Sequence, residues 1–452
     1  VELAGKRILV MGMARSGVAV MRLLRTHGAI PIACDSRPLD QLGERIDDVN
    51  ELADGYFVQS ELETKGIPST GASSVVLSPG VPADLPVLEQ ARAAAIDVIG
   101  EVELASSFLL GDTIGVTGTN GKTTTTALIG HLLQSAGVPV QVGGNIGKPA
   151  CDLVESSRPG QWNVLELSSF QLETTNNLNA KIAVCLNITP DHLDRHHTFE
   201  AYAAAKRRLF EQQREGSFAV LNSDDPPTLR FGFAGPGQAN LFTLRADSSN
   251  QMWLDGDVIM HEGRPLIRRS QIPLVGMHNV ANVMAASLAA LLTGVEPDLV
   301  ARGISTFPGV EHRIEFVRER GGVRWYNDSK ATNVDAALKA IDSFEQPLWI
   351  ILGGRDKHSD YRPLAAALQG RVRNALLIGE AAKLIEPQIG AEVPCLRCDT
   401  MENAVATAAN QAQAGDVVLL APACASFDQF RSYEHRGHVF KELVNQLGEV
   451  GV

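Results

Sequence analysis

Long apolar runs are missing from this chain. No stretch of about eighteen consecutive apolar residues exists, so no membrane-spanning helix is expected. A surplus of positive charge is missing too: 40 Lys and Arg stand against 52 Asp and Glu, a formal net charge of −12. Nucleic-acid binders usually carry a basic face that neutralises phosphates, so small phosphorylated ligands are expected here and not a polymer. Cysteine is sparse. Cys34, Cys151, Cys185, Cys395, Cys398 and Cys424 are too thinly spread for a disulfide framework and suit a reducing cytosol. No secretory signal is legible at the start, where "VELAGKRILVMG" enters a strand almost at once. A cytoplasmic protein is expected.

What is present is an α/β pattern. A chain of 452 residues exceeds one ordinary core. "RILVMG" and "IPIACD" read as strands around the helical spacing of "SGVAVMRLLRTHG", with Gly28 as the stop, and "SVVLSPGVP" adds a strand and turn. "DTIGV", "NVLEL", "KIAVCLNI" and "SFAVLN" follow as strands, then a turn-rich segment from Leu241 to Leu274 that reads as a small β subdomain or flap. "FPGVEHRIEF" reads as a hinge, before the buried strands "LWIILGG", "NALLIGE" and "DVVLLAPA". Three domains are expected: a Rossmann-like domain at 1–100, a central P-loop ATPase-type domain at 101–309, and a Rossmann-like α/β domain at 310–452.

The chemistry starts at "GVTGTNGKTTTT", residues 115–126. A glycine-rich turn between strand and helix presents N–H groups and a positive dipole end to phosphates. Lys122 would reach the outer phosphates and the Thr123 hydroxyl would hold Mg²⁺. The strict Walker spacing is absent, because Val116 stands where its first glycine belongs. In "GMARSG", Gly12 and Gly17 occupy dinucleotide-fingerprint positions, but Ala14 replaces the middle glycine that lets a pyrophosphate approach. Glu166, closing "NVLEL", is placed to bind a metal or, on the blander reading, to cap a helix. In "TPDHLDRHH", His192 and His196 are four apart, but no H-E-x-x-H glutamate accompanies them, so Mg²⁺ fits better than zinc. Lys206 in "YAAAKRRLF" reads, on sequence physics, as a solvated helix lysine. "CLRC" at 395–398 lacks a second pair and reads as coincidence. "YNDSKATN", "LGGRDKHSD" and "APACASFDQF" bring Lys330, Thr332, Lys357 and Ser426 to strand ends, cations and hydroxyls suited to a carboxylate-bearing substrate.

Read together, "GTNGKTTT", "GGNIG", "LELSSFQLE", "NITPDHLDRH", "YAAAKRRLF", "GMHNVANVMAA", "EHRIE", "YNDSKATN" and "APACASFDQF" resemble the Mur ligases of peptidoglycan synthesis, nearly end to end. The resemblance implies ATP-dependent addition of D-glutamate to UDP-N-acetylmuramoyl-L-alanine through an acyl phosphate. It implies two Mg²⁺ ions held by Thr123, Glu166, His192 and Lys206, the lysine carried as a carbamate, with Lys122 on the outer phosphates. It implies ATP contacts from Gly118, Thr119, Asn120, Gly121, Lys122, Thr123, Thr124, Asn279, Asn282, Arg313 and Asp328. The UDP-substrate would meet Arg15, Ser16, Asp35, Ser36, Arg37, Ser78, Gly80, Asn145 and Gln171; D-glutamate would meet Lys330, Thr332, Lys357, Ser426 and Tyr433. A monomer without nucleic-acid or membrane partners is expected.

Two departures from the family pattern are visible, Ala14 for a frequent glycine and Tyr433 for a phenylalanine of some relatives. A sister ligase adding another amino acid and a folate-polyglutamylating relative stay open. The absence of "DNPR" disfavours the diaminopimelate-adding sister. A nucleotide-binding regulator without catalysis is the alternative of a different class.

Overall fold

The structure, a computed structural model, describes residues 2–357 and 359–448. The first unit, residues 1–272 with 280–307, contains two sheets. Its N-terminal sheet holds β1 (Arg7–Met11), β2 (Ile30–Asp35), β3 (Tyr56–Val58), β4 (Ser74–Leu77) and β5 (Asp97–Gly100). The order is β3-β2-β1-β4-β5, all parallel. The strands are apolar on both faces because helices cover both. The helix Arg15–Thr26 runs back from β1 and stops at Gly28, whose positive φ of 74° lets its N–H cap the Arg25 carbonyl at 3.0 Å.

The central sheet holds β6 (Asp112–Thr117), β7 (Val140–Gly144), β8 (Trp162–Glu166), β9 (Ile182–Cys185), β10 (Phe218–Asn222) and β11 (Gln238–Thr243). It continues through β12 (Met252–Asp255), β13 (Val258–His261) and β14 (Arg264–Arg268), in the order β14-β13-β12-β11-β10-β9-β6-β8-β7. The turn-rich segment is therefore not a separate flap. β12 pairs parallel with β11 through Phe242 and Met252, and antiparallel β13 and β14 extend the same sheet outward. The sequence signal of hairpins was correct; what it could not carry was the pairing partner.

The second unit, residues 273–279 with 308–452, is built on β15 (Glu315–Arg320), β16 (Val323–Asn327), β17 (Leu348–Gly353), β18 (Val372–Ile378), β19 (Cys395–Asp399) and β20 (Val417–Leu420). Their order is β15-β16-β20-β17-β18-β19, parallel except for β15. All of β17 is buried: Leu348, Ile350 and Leu352 enter one core, Trp349 and Ile351 the other. The same alternation separates Cys395 and Cys398, which pack into cores on opposite faces of this sheet. A C-x-x-C on a strand cannot close a disulfide across the sheet.

Candidate active site

The phosphate-type loop lies between β6 and the helix Lys122–Ser135. Gly118 and Gly121 have φ of 140° and 85°. At Gly121 a Cβ would also sit 2.2 Å from the Asn282 Oδ1, so glycine is required there for conformation and for space. The loop is tied to the segment after β9. The Thr119 N–H donates to the Asn187 carbonyl (2.8 Å) and the Asn120 N–H to Asn187 Oδ1 (2.9 Å). Lys122 Nζ donates to the carbonyls of Gly118 (3.0 Å) and Thr119 (2.8 Å), and Thr123 and Thr124 are buried in the first helical turn.

Lys206 is no solvated lysine. It is 1% exposed, and its Nζ donates to the same Gly118 carbonyl at 2.9 Å. The cause is packing: Gly115 in β6 leaves room for Leu209, one turn along the helix Phe199–Glu211, which draws the Lys206 face of that helix onto the sheet. Burial pushes the amine down to about 7, and the neighbouring Lys122 adds repulsion. Tyr202, one turn before, lies under the Nζ (4.7 Å to the ring centre) and shares a hydrogen bond with Thr119 Oγ1 at 3.0 Å. Tyr202 was missed in the sequence, though its spacing four before Lys206 puts both on one helix face.

Glu166 ends β8 in register with Val116 of β6, beside the loop, and is 2% exposed. Its Oε1 accepts from Asn145 Nδ2 at 2.8 Å, while its Oε2 has no hydrogen-bond partner among the described residues. A buried carboxylate oxygen without a donor is costly, and a cation relieves that cost. The donor set of Thr123 and Glu166 therefore fits a hard cation. His192 sits in the left-handed region (φ 52°), half exposed, with its ring 4.8 Å from Phe170. His196 is buried and its Nε2 is engaged by Ser169 Oγ at 2.9 Å.

A cavity of about 540 Å³ opens between the carboxyl ends of β1, β2 and β4 and the loop after β7. It gathers Arg15, Ser16, Asp35, Ser36, Arg37, Ser78, Gly80, Asn145 and Gln171. Gln59 and Pro149, which carried no signal in the sequence, also line it, as does Gly147, which closes the motif "GGNIG" but had no role assigned to it. Asp35 Oδ2 accepts from the Met13 N–H (2.7 Å), and Oδ1 from the N–H and Nε of Arg37 (3.1 Å each). Burial works against that carboxylate, but these donors outweigh it and hold Asp35 below its ordinary value. Ala14 lies on the cavity wall with an extended backbone and an exposed methyl group.

In the second unit the ends of β16, β20 and β17 stand side by side. Lys330 and Thr332 follow β16, Lys357 follows β17, Ser426 follows β20, and Tyr433 opens the helix Tyr433–Gln446. Asp328 Oδ1 accepts from the Ile314 N–H at 3.2 Å, and burial raises its carboxyl to about 6 against the pull of Arg313. Asn279, Arg313 and Asp328 belong to this unit, whereas Asn282 abuts the phosphate-type loop in the first. Glu311, His312 and His438 cluster here, with ligand atoms within 4.8 Å. Yet Asn327, its amide oriented by the Ser329 N–H, donates to His312 Nδ1 at 3.0 Å, which leaves the proton on Nε2. Lys441 occupies Glu311 Oε1 at 2.5 Å. Glu311 Oε1 is also met by His438 Nε2 (3.0 Å), so the trio is a hydrogen-bonded cluster in which His312 is buried and Glu311 and His438 are exposed, with a lysine already on its carboxylate.

Three family models match the chain: the N-terminal domain of MurD-like Mur ligases at residues 6–100, the Mur ligase middle domain at 116–290, and the glutamate ligase domain of Mur ligases at 312–424. A UDP-N-acetylmuramoylalanine–D-glutamate ligase of Solibacter usitatus is 51% identical over 99% of both chains. The protein of that name from Acidobacterium capsulatum is 47% identical, covering 98% of this chain and 97% of its own. Among solved structures, the UDP-N-acetylmuramate-alanine ligase of Thermotoga maritima shares the fold (TM-score 0.60, 17% identity, 97% of this chain and 98% of that one).

Proposed function

The chain belongs to the Mur ligase family, and from that premise we propose that it joins D-glutamate to UDP-N-acetylmuramoyl-L-alanine at the expense of ATP, in peptidoglycan precursor synthesis. The observation that carries this reading is 51% identity over 99% of both chains to a ligase named for that reaction. The geometry agrees. A phosphate-type loop, a buried carboxylate with an unpaired oxygen and a buried amine meet at one end of the central sheet.

The chemistry follows from the electrophile. A carboxylate resists attack by an amine, so its oxygen first takes the terminal phosphoryl group of ATP and ADP leaves. The amine of D-glutamate then adds to the acyl carbon; the tetrahedral adduct expels orthophosphate, and the amine proton passes to solvent. Lys122 and the loop Gly118–Thr124 hold the phosphates, the Thr119 and Asn120 N–H groups serving instead to tie the loop to Asn187, with Asn279, Asn282, Arg313 and Asp328 as the nucleotide's further contacts. Arg15, Ser16, Asp35, Ser36, Arg37, Ser78, Gly80, Asn145 and Gln171 hold the UDP-sugar, supported by their convergence on one cavity. Lys330, Thr332, Lys357, Ser426 and Tyr433 hold the D-glutamate carboxylates.

Mg²⁺, when bound, offsets the charge gathering on the phosphates; Thr123, Glu166, His192 and a carbamate on Lys206 are the groups that would hold two ions. The carbamate is supported by burial of Lys206 and its lowered basicity, since only a neutral amine adds to carbon dioxide, losing one proton. We place the enzyme in the cytoplasm as a monomer, the acceptor cavity being lined by residues of one chain; among the described residues no helix is long and apolar enough to cross a membrane.

The test offers D-glutamate, L-glutamate, lysine and diaminopimelate separately, with ATP and the UDP-sugar, and measures ADP and product mass. ADP release only with D-glutamate and acceptor together is expected. Release without either, or a product with another amino acid, sinks the reading. Lys122→Ala is expected to lose at least about a hundredfold in rate, the scale of removing a charge stabiliser, whereas a non-catalytic regulator has no rate to lose.

A further inference from the structure

Arg436 was not singled out by any motif, and it is the most completely buried cation of the second unit, at 0% exposure. Its Nε donates to Ser329 Oγ (3.0 Å) and its Nη2 to the Ser329 carbonyl (2.8 Å). Its Nη1 donates to the carbonyls of Cys424 (3.1 Å) and Ala425 (3.3 Å). No carboxylate among the described residues forms an ion pair with it. Gly354 packs against the same group: a Cβ there would lie 3.2 Å from Nη1 and 2.2 Å from the Ala425 carbonyl.

These contacts fall on every segment that carries a candidate D-glutamate contact in this unit. Ser329 lies between Asp328 and Lys330; Gly354 opens the loop to Lys357; Ala425 precedes Ser426; and Arg436 stands one turn after Tyr433, whose carbonyl accepts from Ser329 Oγ at 2.8 Å. A structural cross-link needs only neutral donors. A buried guanidinium held by one hydroxyl and three carbonyls, with Asp428 acting on it only at longer range and in no ion pair, keeps positive charge to spare.

We propose that Arg436 is a positioning and specificity residue: it locks the strand-end loops in place and supplies from behind them a positive charge engaged in no ion pair, which favours a dicarboxylate amino acid. This rests on the reading of these loops as the D-glutamate pocket. Burial lowers the guanidinium only to about 10, so the charge persists at neutral pH.

The experiment compares full-length wild type, Arg436→Lys and Arg436→Gln by steady-state kinetics in each substrate, with folding checked by circular dichroism and melting temperature. Arg436→Gln is expected to raise the KM for D-glutamate about tenfold, the scale of one partly screened charge, with kcat and the KM for ATP within about threefold. Arg436→Lys keeps the charge while losing the planar fork, and is expected to recover most of that KM. Equal KM values in the Lys and Gln variants, or a loss spread evenly over kcat and all substrates, overturn the proposal in favour of a merely structural role. If Arg436→Gln does not fold, Cys424→Asp keeps the arginine and sets a carboxylate beside it; a D-glutamate KM raised at least about fivefold is expected, and an unchanged one overturns the proposal. Wild type inactive with D-glutamate but active with another amino acid would instead refute the functional reading, a distinguishable result.

Discussion

Two cations lie out of reach of water at two different sheet ends, and they behave differently. Lys206, at the central sheet, has one carbonyl and an aromatic ring for company, and burial brings it to about 7. Arg436, at the third sheet, meets four acceptors and stays charged. The group and its charged surroundings, and not burial alone, decide whether a charge survives: a guanidinium starts from a higher ordinary value than an amine, and Arg436 feels the attraction of Asp428 where Lys206 feels the repulsion of Lys122. Two acids repeat the contrast. Asp35 receives three donors and is held below its ordinary value, whereas Glu101 receives the Cys151 N–H at 2.7 Å, leaves its Oε2 unpaired, and is raised by burial to about 7.

The sharpest way to break this comparison is to put a permanent charge where a neutralisable one stands. Lys206→Arg is expected to cost about a thousandfold in ADP release, since a guanidinium cannot become a neutral nucleophile toward carbon dioxide; near wild-type turnover would show that only positive charge is needed there. A smaller effect is expected at Asp35. Asp35→Asn cannot satisfy both the Met13 and Arg37 donors, so the KM for the UDP-sugar should rise about tenfold while that for ATP holds. The smallest effect tests Glu101. Its folded value lies above the ordinary 4.5, so the folded state holds the extra proton, and the stability this contributes is fully present below 4.5 and lost as pH rises through about 7. Glu101→Gln, which keeps the acceptor for Cys151, should flatten that slope, gaining about 1–3 kcal/mol over wild type between pH 5 and pH 8 in denaturant titrations.

Much of this was open to a reader of the sequence, for reasons that can be stated. The phosphate-type loop is local: glycines, lysine and hydroxyls adjacent in the chain stay adjacent in space. The strands around it announce themselves as short apolar runs. Lys206 was opaque to sequence physics because its burial depends on Gly115 and Leu209, ninety-odd positions apart, and only the family resemblance lifted it from the bland reading. Arg436 and His312 were opaque for the same reason, their partners being carbonyls and amides that no motif encodes. The Leu241–Leu274 segment showed its turns but not its pairing with β11, because a pairing partner is a tertiary fact. "CLRC" misleads only on paper, since alternation in β19 sends its thiols to opposite faces.

The outward run of β12, β13 and β14 leaves the far margin of the central sheet several strands away from β6. Its last strand ends that margin with the exposed guanidinium groups of Arg264 and Arg268, which discourage another chain from docking edge to edge. The tight bend at Gly256, between β12 and β13, is consequently a natural attachment point for a fluorophore or an affinity tag, where added bulk would report on the enzyme without touching its chemistry.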